Sequence, residues 1–302
     1  MSPVIDTQAS SELHPGTLLG CPAPAKLNLF LHVTGRRDDG YHLLQTVFQL
    51  VDHSDLLDFT LRDDGRIVRC KPIPGVPEEH DLTLRAAHLL QAEIGSRRNG
   101  PIPGINIAVH KKLPMGGGLG GGSSDAATTL MALNRLWKVG LDRAQLSALG
   151  LKLGADVPFF IFGRTAFGEG IGERLQAVDT PARSYVVVEP KVSIATAAIF
   201  NAPQLTRNTK AVKIADFSES TSCFGKNDLQ AVVAGMYEEV AAALEALGKF
   251  GDARLTGSGS CVFCSFASES EAQRALVSLE TRWKVWKAKA LERHPLYEMV
   301  DG

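Results

Sequence analysis

The sequence predicts two α+β domains, and three observations carry that prediction. Strand-like alternation and helix-like periodicity are mixed along the chain without the strict βαβ rhythm of a parallel sheet. At 302 residues there is length enough for two domains. A second series of strands and helices opens at "SYVVVEP", and no internal repeat stands out.

"PAKLNLFLHVTG" alternates as a half-buried strand, with Ala25, Leu27, Leu29, Leu31 and Val33 on one face and Lys26, Asn28, Phe30 and His32 on the other. "RRDDG" is a turn, Asp39-Gly40 being its strongest signal, and "YHLLQTVFQL" is the next strand. "DLTLRAAHLLQAEIG" reads as a helix and "INIAVHKKL" as a strand with Ile105, Ile107 and Val109 on one face. A helix is expected over 125–137 and another in "DRAQLSALGLKLG", leading into "ADVPFFIFGRTAFGEGIG". In the second half, "DLQAVVAGMYEEVAAALEALG" reads as one long amphipathic helix, with Asn227 as N-cap and Gly248 as its stop. "ARLTGSGSCVFCSF" is loop and strand, "SEAQRALVSLE" a helix and "WKVWKAKAL" a strand.

Composition narrows the class. A hydrophobic share of 44% with 22% charged residues is that of an ordinary globular protein. A formal net charge of −1 offers no field toward nucleic acid or an anionic membrane. No apolar run approaches the roughly 20 residues of a membrane span. The start, "MSPVIDTQASSELHPGTLLG", has neither the basic nor the apolar region of a secretion signal, so it is expected to be a poorly ordered tail on a cytosolic protein. Five scattered cysteines suit reduced thiols better than a disulfide framework. Cys261 and Cys264 form a CxxC, but no second pair or histidines at ligand spacing accompany it. Three apart on a strand, the two thiols point to opposite faces.

The most informative stretch is "PMGGGLGGGSSDAATTLMALNRLW", with six glycines in the seven positions 116–122. A flexible linker rarely lies between a strand and a helix; a phosphate-binding loop does, the alternative being a glycine-rich turn that holds no ligand. Glycines let backbone amides curl around an anion, and the helix N-terminus adds unpaired N–H groups. Ser123, Ser124 and Asp125 supply capping oxygens or hydroxyl contacts. This is no Walker loop, because Ser123 stands where GxxxxGK[ST] needs lysine. The GxGxxG match at Gly116, Gly118 and Gly121 is nearly automatic in so glycine-dense a run, and more than 100 residues precede it. Neither DFG nor HRD occurs, which excludes a protein kinase.

"PMGGGLGGGSSDAA" resembles the central motif of the GHMP small-molecule kinases, the group of galactokinase, homoserine kinase, mevalonate kinase and phosphomevalonate kinase, and "TGSGSCVF" is similar to their C-terminal glycine motif. Within that group, "PAKLNLFLHVTGRRDDGYHLLQTVFQLVD" and "GADVPFF" resemble the 4-diphosphocytidyl-2-C-methylerythritol kinase family. Matches run from about Pro22 to near the C-terminus. The resemblance implies a two-domain α+β GHMP kinase fold, with an N-terminal domain like ribosomal protein S5 domain 2 and a ferredoxin-like C-terminal domain. The implied partition is a disordered tail over 1–20, the N-terminal ATP-binding domain over 21–177 and the C-terminal domain over 178–302. ATP and Mg²⁺ are implied, and a cytidyl diphosphate small molecule is the implied partner, phosphorylated on its 2-hydroxyl in the non-mevalonate isoprenoid pathway. Neither nucleic acid nor membrane is expected, and the protein is expected to be a cytoplasmic monomer or weak homodimer.

The resemblance also assigns residues. Lys26 and Asp156 fall at its two catalytic positions. Taken alone, Asp156 reads as a turn or cap residue and Lys26 as a solvated strand-face lysine; their presence in two matched motifs makes them candidates. Pro114, Met115, Gly116, Gly117, Gly118, Leu119, Gly120, Gly121, Gly122, Ser123 and Ser124 form the implied ATP loop, which residues 256–260 approach from the other domain. Asn28, Tyr41, His42, Thr196 and Phe200 are the implied substrate contacts, the aromatic rings offering faces for cytosine. Alanines flank Thr196 on both sides, a departure from the family pattern. No carboxylate pair announces magnesium ligands, so no metal-binding residue is named. The rivals are the same fold acting on mevalonate, homoserine or a sugar, a catalytically silent nucleotide binder, and a nicotinamide oxidoreductase. A base to stack beside Tyr41 and His42 is what the first rivals lack.

Overall fold

A computed structural model describes residues 16–95, 102–219 and 224–301. Two long strands organise the molecule: β1 (Thr17–Arg36) and β2 (His42–Arg62) pair antiparallel across the expected Asp39-Gly40 turn. With β3 (Ile67–Arg69), β4 (Gly104–His110), β5 (Ala166–Glu169) and β6 (Arg174–Ala177) they form a six-stranded sheet ordered β3-β4-β2-β5-β6, with β1 beside β2. Helices α1 (Leu82–Gly95), α2 (Gly121–Leu136), α3 (Arg143–Leu151) and α4 (Val157–Phe162) pack with this sheet around one core, in which Phe59, Ile105 and Ile107 meet Leu90, Leu130 and Phe159.

The second sheet is antiparallel, ordered β10 (Lys284–Lys289), β7 (Ser184–Glu189), β9 (Val262–Phe266), β8 (Arg254–Leu255). Helices α5 (Thr196–Asn201), α6 (Ile214–Glu219), α7 (Gln230–Met236) and α8 (Glu238–Gly248) lie between β7 and β8, and α9 (Glu269–Leu279) lies between β9 and β10. This βαββαβ succession is the ferredoxin-like arrangement. The final turn, α10 (Tyr297–Val300), returns to the first domain, where Leu296 and Tyr297 join its core.

Several elements differ from expectation, each for a physical reason. β1 begins at Thr17, inside the segment expected to be tail, because its first residues pair with Phe59 and Thr60 of β2; residues 1–15 lie outside the described ones. β1 is buried on both faces rather than one: a register shift between Asn28 and Leu31 sends Leu31 and Val33 into the second domain's core, while Phe30 packs in a separate cluster with Phe167 and Phe217. α2 starts four residues before Asp125, so Asp125 is no cap but a buried residue of the second turn. The expected long helix is two, because Tyr237 adopts an extended conformation that ends α7 and begins α8; Gly235, just before it, weakens the helix. Asn227 lies two residues before the cap position, Leu229, yet does both jobs: its Oδ1 accepts from Leu229 N–H at 2.9 Å, and its amide nitrogen donates to Leu255 O and Gly257 O, both at 2.8 Å, holding the 256–260 loop. The 178–302 segment is not confined to the second sheet, since α10 completes the core of the first. The two CxxC thiols do face opposite ways, Cys261 into the interdomain cluster and Cys264 into the second core.

Candidate active site

Between the domains lies a cleft of about 680 Å³. Its wall combines Lys26 and Asn28 of β1, Tyr41 and His42 at the start of β2, Gly116, Gly118, Gly120 and Ser123 before and within α2, and Asp156 at the head of α4; Thr196, Phe200 and residues 257–259 come from the second domain. Every residue singled out as catalytic or substrate-binding lines this one cavity. A second cavity, about 370 Å³, runs behind the glycine loop and is lined by Pro114, Met115, Gly117, Leu119, Gly121 and Gly122. Ser124 reaches neither: its hydroxyl is buried inside α2 without a hydrogen-bond partner among the described residues, because the helix starts earlier than expected and turns it inward.

Backbone geometry explains the glycines. Gly116, Gly118 and Gly120 have φ of +70°, +74° and +72°, a region that side chains other than glycine enter at a penalty. A Cβ on Gly118 would stand 2.1 Å from Thr256 O, and one on Gly120 would stand 2.8 Å from Phe160 and 3.2 Å from the Lys26 stem. The loop therefore lies directly on the 256–260 loop. Ser260 N donates to Gly116 O and Cys261 N to Gly117 O, both at 3.1 Å. Gly120 caps α2 with no side-chain bond to the helix end, so the first-turn amides are available to an anion.

Lys26 lies under this loop, its own N–H donating to Leu119 O at 3.0 Å. Its ammonium donates to Asn28 Oδ1 at 2.5 Å and stands 3.7 Å from Asp156 Oδ2. Only 4% of the lysine side chain is exposed, against 33% of the aspartate's. Burial pulls the Lys26 ammonium below its ordinary value, and the Asp156 carboxylate opposes that pull. The result is a desolvated cation that pairs, among the described residues, with one carboxylate, a place where a further anion is welcome.

Asn28 is engaged on both sides of its amide. It accepts from Lys26 and donates to Thr46 Oγ1 at 2.9 Å, while its backbone N–H donates to Thr256 Oγ1 at 3.1 Å. It orients the lysine as much as it faces the cleft. Thr46 and Thr256 escaped sequence reasoning because a lone threonine on a strand or in a turn carries no spacing signal.

At the other part of the cleft, His42 and Phe200 meet across the domain boundary, ring centroids 4.9 Å apart at 35°. Tyr41 stands 59% exposed at the rim. Burial, then the nearby Arg207 and Arg36, hold the His42 imidazolium below its usual range. Thr196 Oγ1 and Ser258 Oγ share a hydrogen bond of 2.7 Å.

Behind the glycine loop, Lys111 bonds to two carboxylates, Asp55 and, at 2.9 Å, Asp125. Asp55 also accepts from the N–H groups of Lys112 and Leu113. Burial pushes the Asp125 carboxyl up to about 7 against the pull of Lys111. This group ties β2, the strand end after β4 and α2 together beneath the loop.

Comparison with known proteins matches this arrangement. Residues 81–164 fit the family described as GHMP kinases N terminal domain, and residues 208–285 that described as GHMP kinases C terminal. A 4-diphosphocytidyl-2-C-methyl-D-erythritol kinase of Herminiimonas arsenicoxydans is 61% identical over 280 residues, covering 93% of this chain and 97% of that protein. One from Azoarcus sp. (strain BH72) is 58% identical, covering 95% of this chain and 99% of its own. A solved structure of 4-(cytidine 5'-diphospho)-2C-methyl-D-erythritol kinase superposes with a TM-score of 0.76 at 30% identity, over 91% of this chain and 98% of that one. The chain thus belongs to the GHMP kinases and, within them, to the 4-diphosphocytidyl-2-C-methyl-D-erythritol kinase family.

Proposed function

We propose that this chain transfers the γ-phosphoryl group of ATP to the 2-hydroxyl of 4-diphosphocytidyl-2-C-methyl-D-erythritol, a step of the non-mevalonate route to isoprenoids. The observation that carries the reading is a single cleft in which the Lys26–Asp156 pair shares walls with the glycine loop and with the Tyr41, His42 and Phe200 rings. Glycine-loop amides and the N-terminus of α2 hold the nucleotide phosphates. Asp156 orients the 2-hydroxyl and takes its proton as the new O–P bond forms and the bond to ADP breaks. Lys26 offsets charge on the transferred group and, 3.7 Å from Asp156 Oδ2, holds that carboxylate in place. Tyr41 and Phe200 supply faces for cytosine, and His42 reads its edge.

Among the described residues no group of three or more His, Cys, Asp or Glu could hold a metal ion. Mg²⁺ would come in on the nucleotide, with phosphate oxygens and water as most of its ligands. Asp156 and Ser123, both on the cleft wall, are the residues that would complete them; the ion supplies neutralisation of phosphate charge. No helix among the described residues is long and apolar enough to cross a membrane, and we read the enzyme as a cytoplasmic monomer or weak homodimer.

The test is ADP release with ATP and Mg²⁺, comparing the cytidyl substrate with mevalonate, homoserine and galactose. Turnover confined to the cytidyl substrate supports the reading. Equal turnover of any of the others overturns it.

A further inference from the structure

One side chain that sequence reasoning passed over joins both walls of the base-binding end. Arg207 lies between α5 and α6 and makes four hydrogen bonds. Its Nη2 donates to Phe200 O at 2.9 Å and Ala202 O at 2.8 Å, its Nη1 to Leu205 O at 3.1 Å, and its Nε crosses the domain boundary to His42 Nε2 at 3.1 Å. Two of these bonds hold the end of α5, which carries Phe200, and a third holds Leu205 in the segment after it. The fourth does something a structural clamp does not require.

A guanidinium has donors only and stays charged at any physiological pH. The nitrogen that faces it must therefore carry a lone pair, which leaves Nδ1 as the protonated atom of His42. Among the described residues Nδ1 has no protein partner, and the ring lines the cleft beside Phe200. We infer that Arg207 is a positioning residue for base choice: it fixes His42 as an Nδ1–H donor, and so favours a pyrimidine whose ring N3 is an acceptor, cytosine, over one whose N3 carries hydrogen, uracil. Burial and the Arg207 charge both disfavour the imidazolium, which agrees with a neutral ring. A donor set against the N3–H of uracil leaves two donors facing each other, and sites built on such a bond reject the mismatched partner.

The inference rests on the cytidyl-substrate reading above, and its test separates the two. Turnover is measured on the cytidyl substrate and on its uridyl counterpart, in wild type, Arg207→Met and Arg207→Lys. Long-range ¹H–¹⁵N correlation of the His42 ring is recorded on the same full-length proteins. Wild type should prefer the cytidyl form in kcat/KM by about 10- to 100-fold and show Nδ1 protonated with Nε2 bare. Arg207→Met should lose most of that preference and show a mixed or reversed tautomer, with kcat at saturating cytidyl substrate and KM for ATP nearly kept. Arg207→Lys, which keeps a charged donor, should recover part of both. A residue that merely clamps α5 would weaken both substrates alike and leave the tautomer untouched; that outcome overturns the inference. So does an Nε2-protonated His42 in wild type, a result that needs no variant to fold. A wild type that turns over both nucleotides equally overturns Arg207's part in base choice, whereas failure to turn over the cytidyl substrate at all overturns the substrate reading; the tautomer is decided independently.

Discussion

Gly118→Ala and Gly140→Ala form a matched pair that isolates how closely the two glycine loops are docked. Their φ angles are +74° and +75°, so both substitutions meet the same left-handed backbone penalty, about 1 kcal/mol. Their surroundings differ completely. Among the described residues, a Cβ on Gly140 meets nothing within 4 Å, whereas one on Gly118 would stand 2.1 Å from Thr256 O and 3.1 Å from Gly259 N. Relief of that contact needs a separation of about 1 Å between two backbones. The Ser260–Gly116 and Cys261–Gly117 hydrogen bonds stretch with it, each worth about 0.5–1.5 kcal/mol. Gly118→Ala should therefore cost about 2–4 kcal/mol of stability in total. A shift of that size in a phosphate cradle should also raise KM for ATP by about 10- to 100-fold. Gly140→Ala should cost only the shared penalty and leave ATP unaffected. Denaturant midpoints and ATP titrations on both variants supply the numbers. Equal effects from the two would refute close docking of the 116–122 loop on the 256–260 loop.

Asp156→Asn keeps the shape of the site but removes the proposed proton acceptor, and kcat should fall by about two to four orders of magnitude with the melting temperature little changed; near-normal turnover in a folded variant removes Asp156 from the chemistry. Tyr41→Ala and Phe200→Ala should each weaken cytidyl-substrate binding by about 1–3 kcal/mol in calorimetric titration while ATP affinity is retained. His294 is buried, and burial first, then Arg143, takes its imidazole down to about 3 from 6.5. The unfolded chain thus binds a proton below about 6.5 that the fold refuses, so stability is full above that pH and falls as pH drops toward 3. His294→Gln should show a shallower decline in melting temperature between pH 7 and 4, and an unchanged slope would deny His294 that role.

What the sequence revealed and what it hid divide along contact range. The glycine loop was legible because its conformation is local: left-handed backbone positions before a helix demand glycine whatever surrounds them. Lys26 and Asn28 were legible as a pair because residues two apart on a strand share a face, and the 2.5 Å bond between them follows from that spacing. Asp125 looks like a cap in the sequence because a carboxylate after Ser-Ser suits one; only Lys111, in the segment after β4, shows that it is buried. Arg207 stood in plain view, but its partner His42 is 165 positions away, and no spacing rule reaches so far. The break at Tyr237 was hidden for the opposite reason. Buried Val233 and Val240 keep a helical interval across it, so the periodicity survives the interruption.

The acceptor on which everything above turns is the 2-hydroxyl of a cytidyl-linked methylerythritol. ³¹P NMR of the product, made from ATP, Mg²⁺ and substrate labelled with ¹³C at position 2, measures this most directly. The account predicts one new phosphomonoester resonance coupled to that carbon, with the diphosphate signals of the cytidyl group intact. A phosphate attached at another carbon, extension of the diphosphate, or release of inorganic phosphate in its place would contradict it.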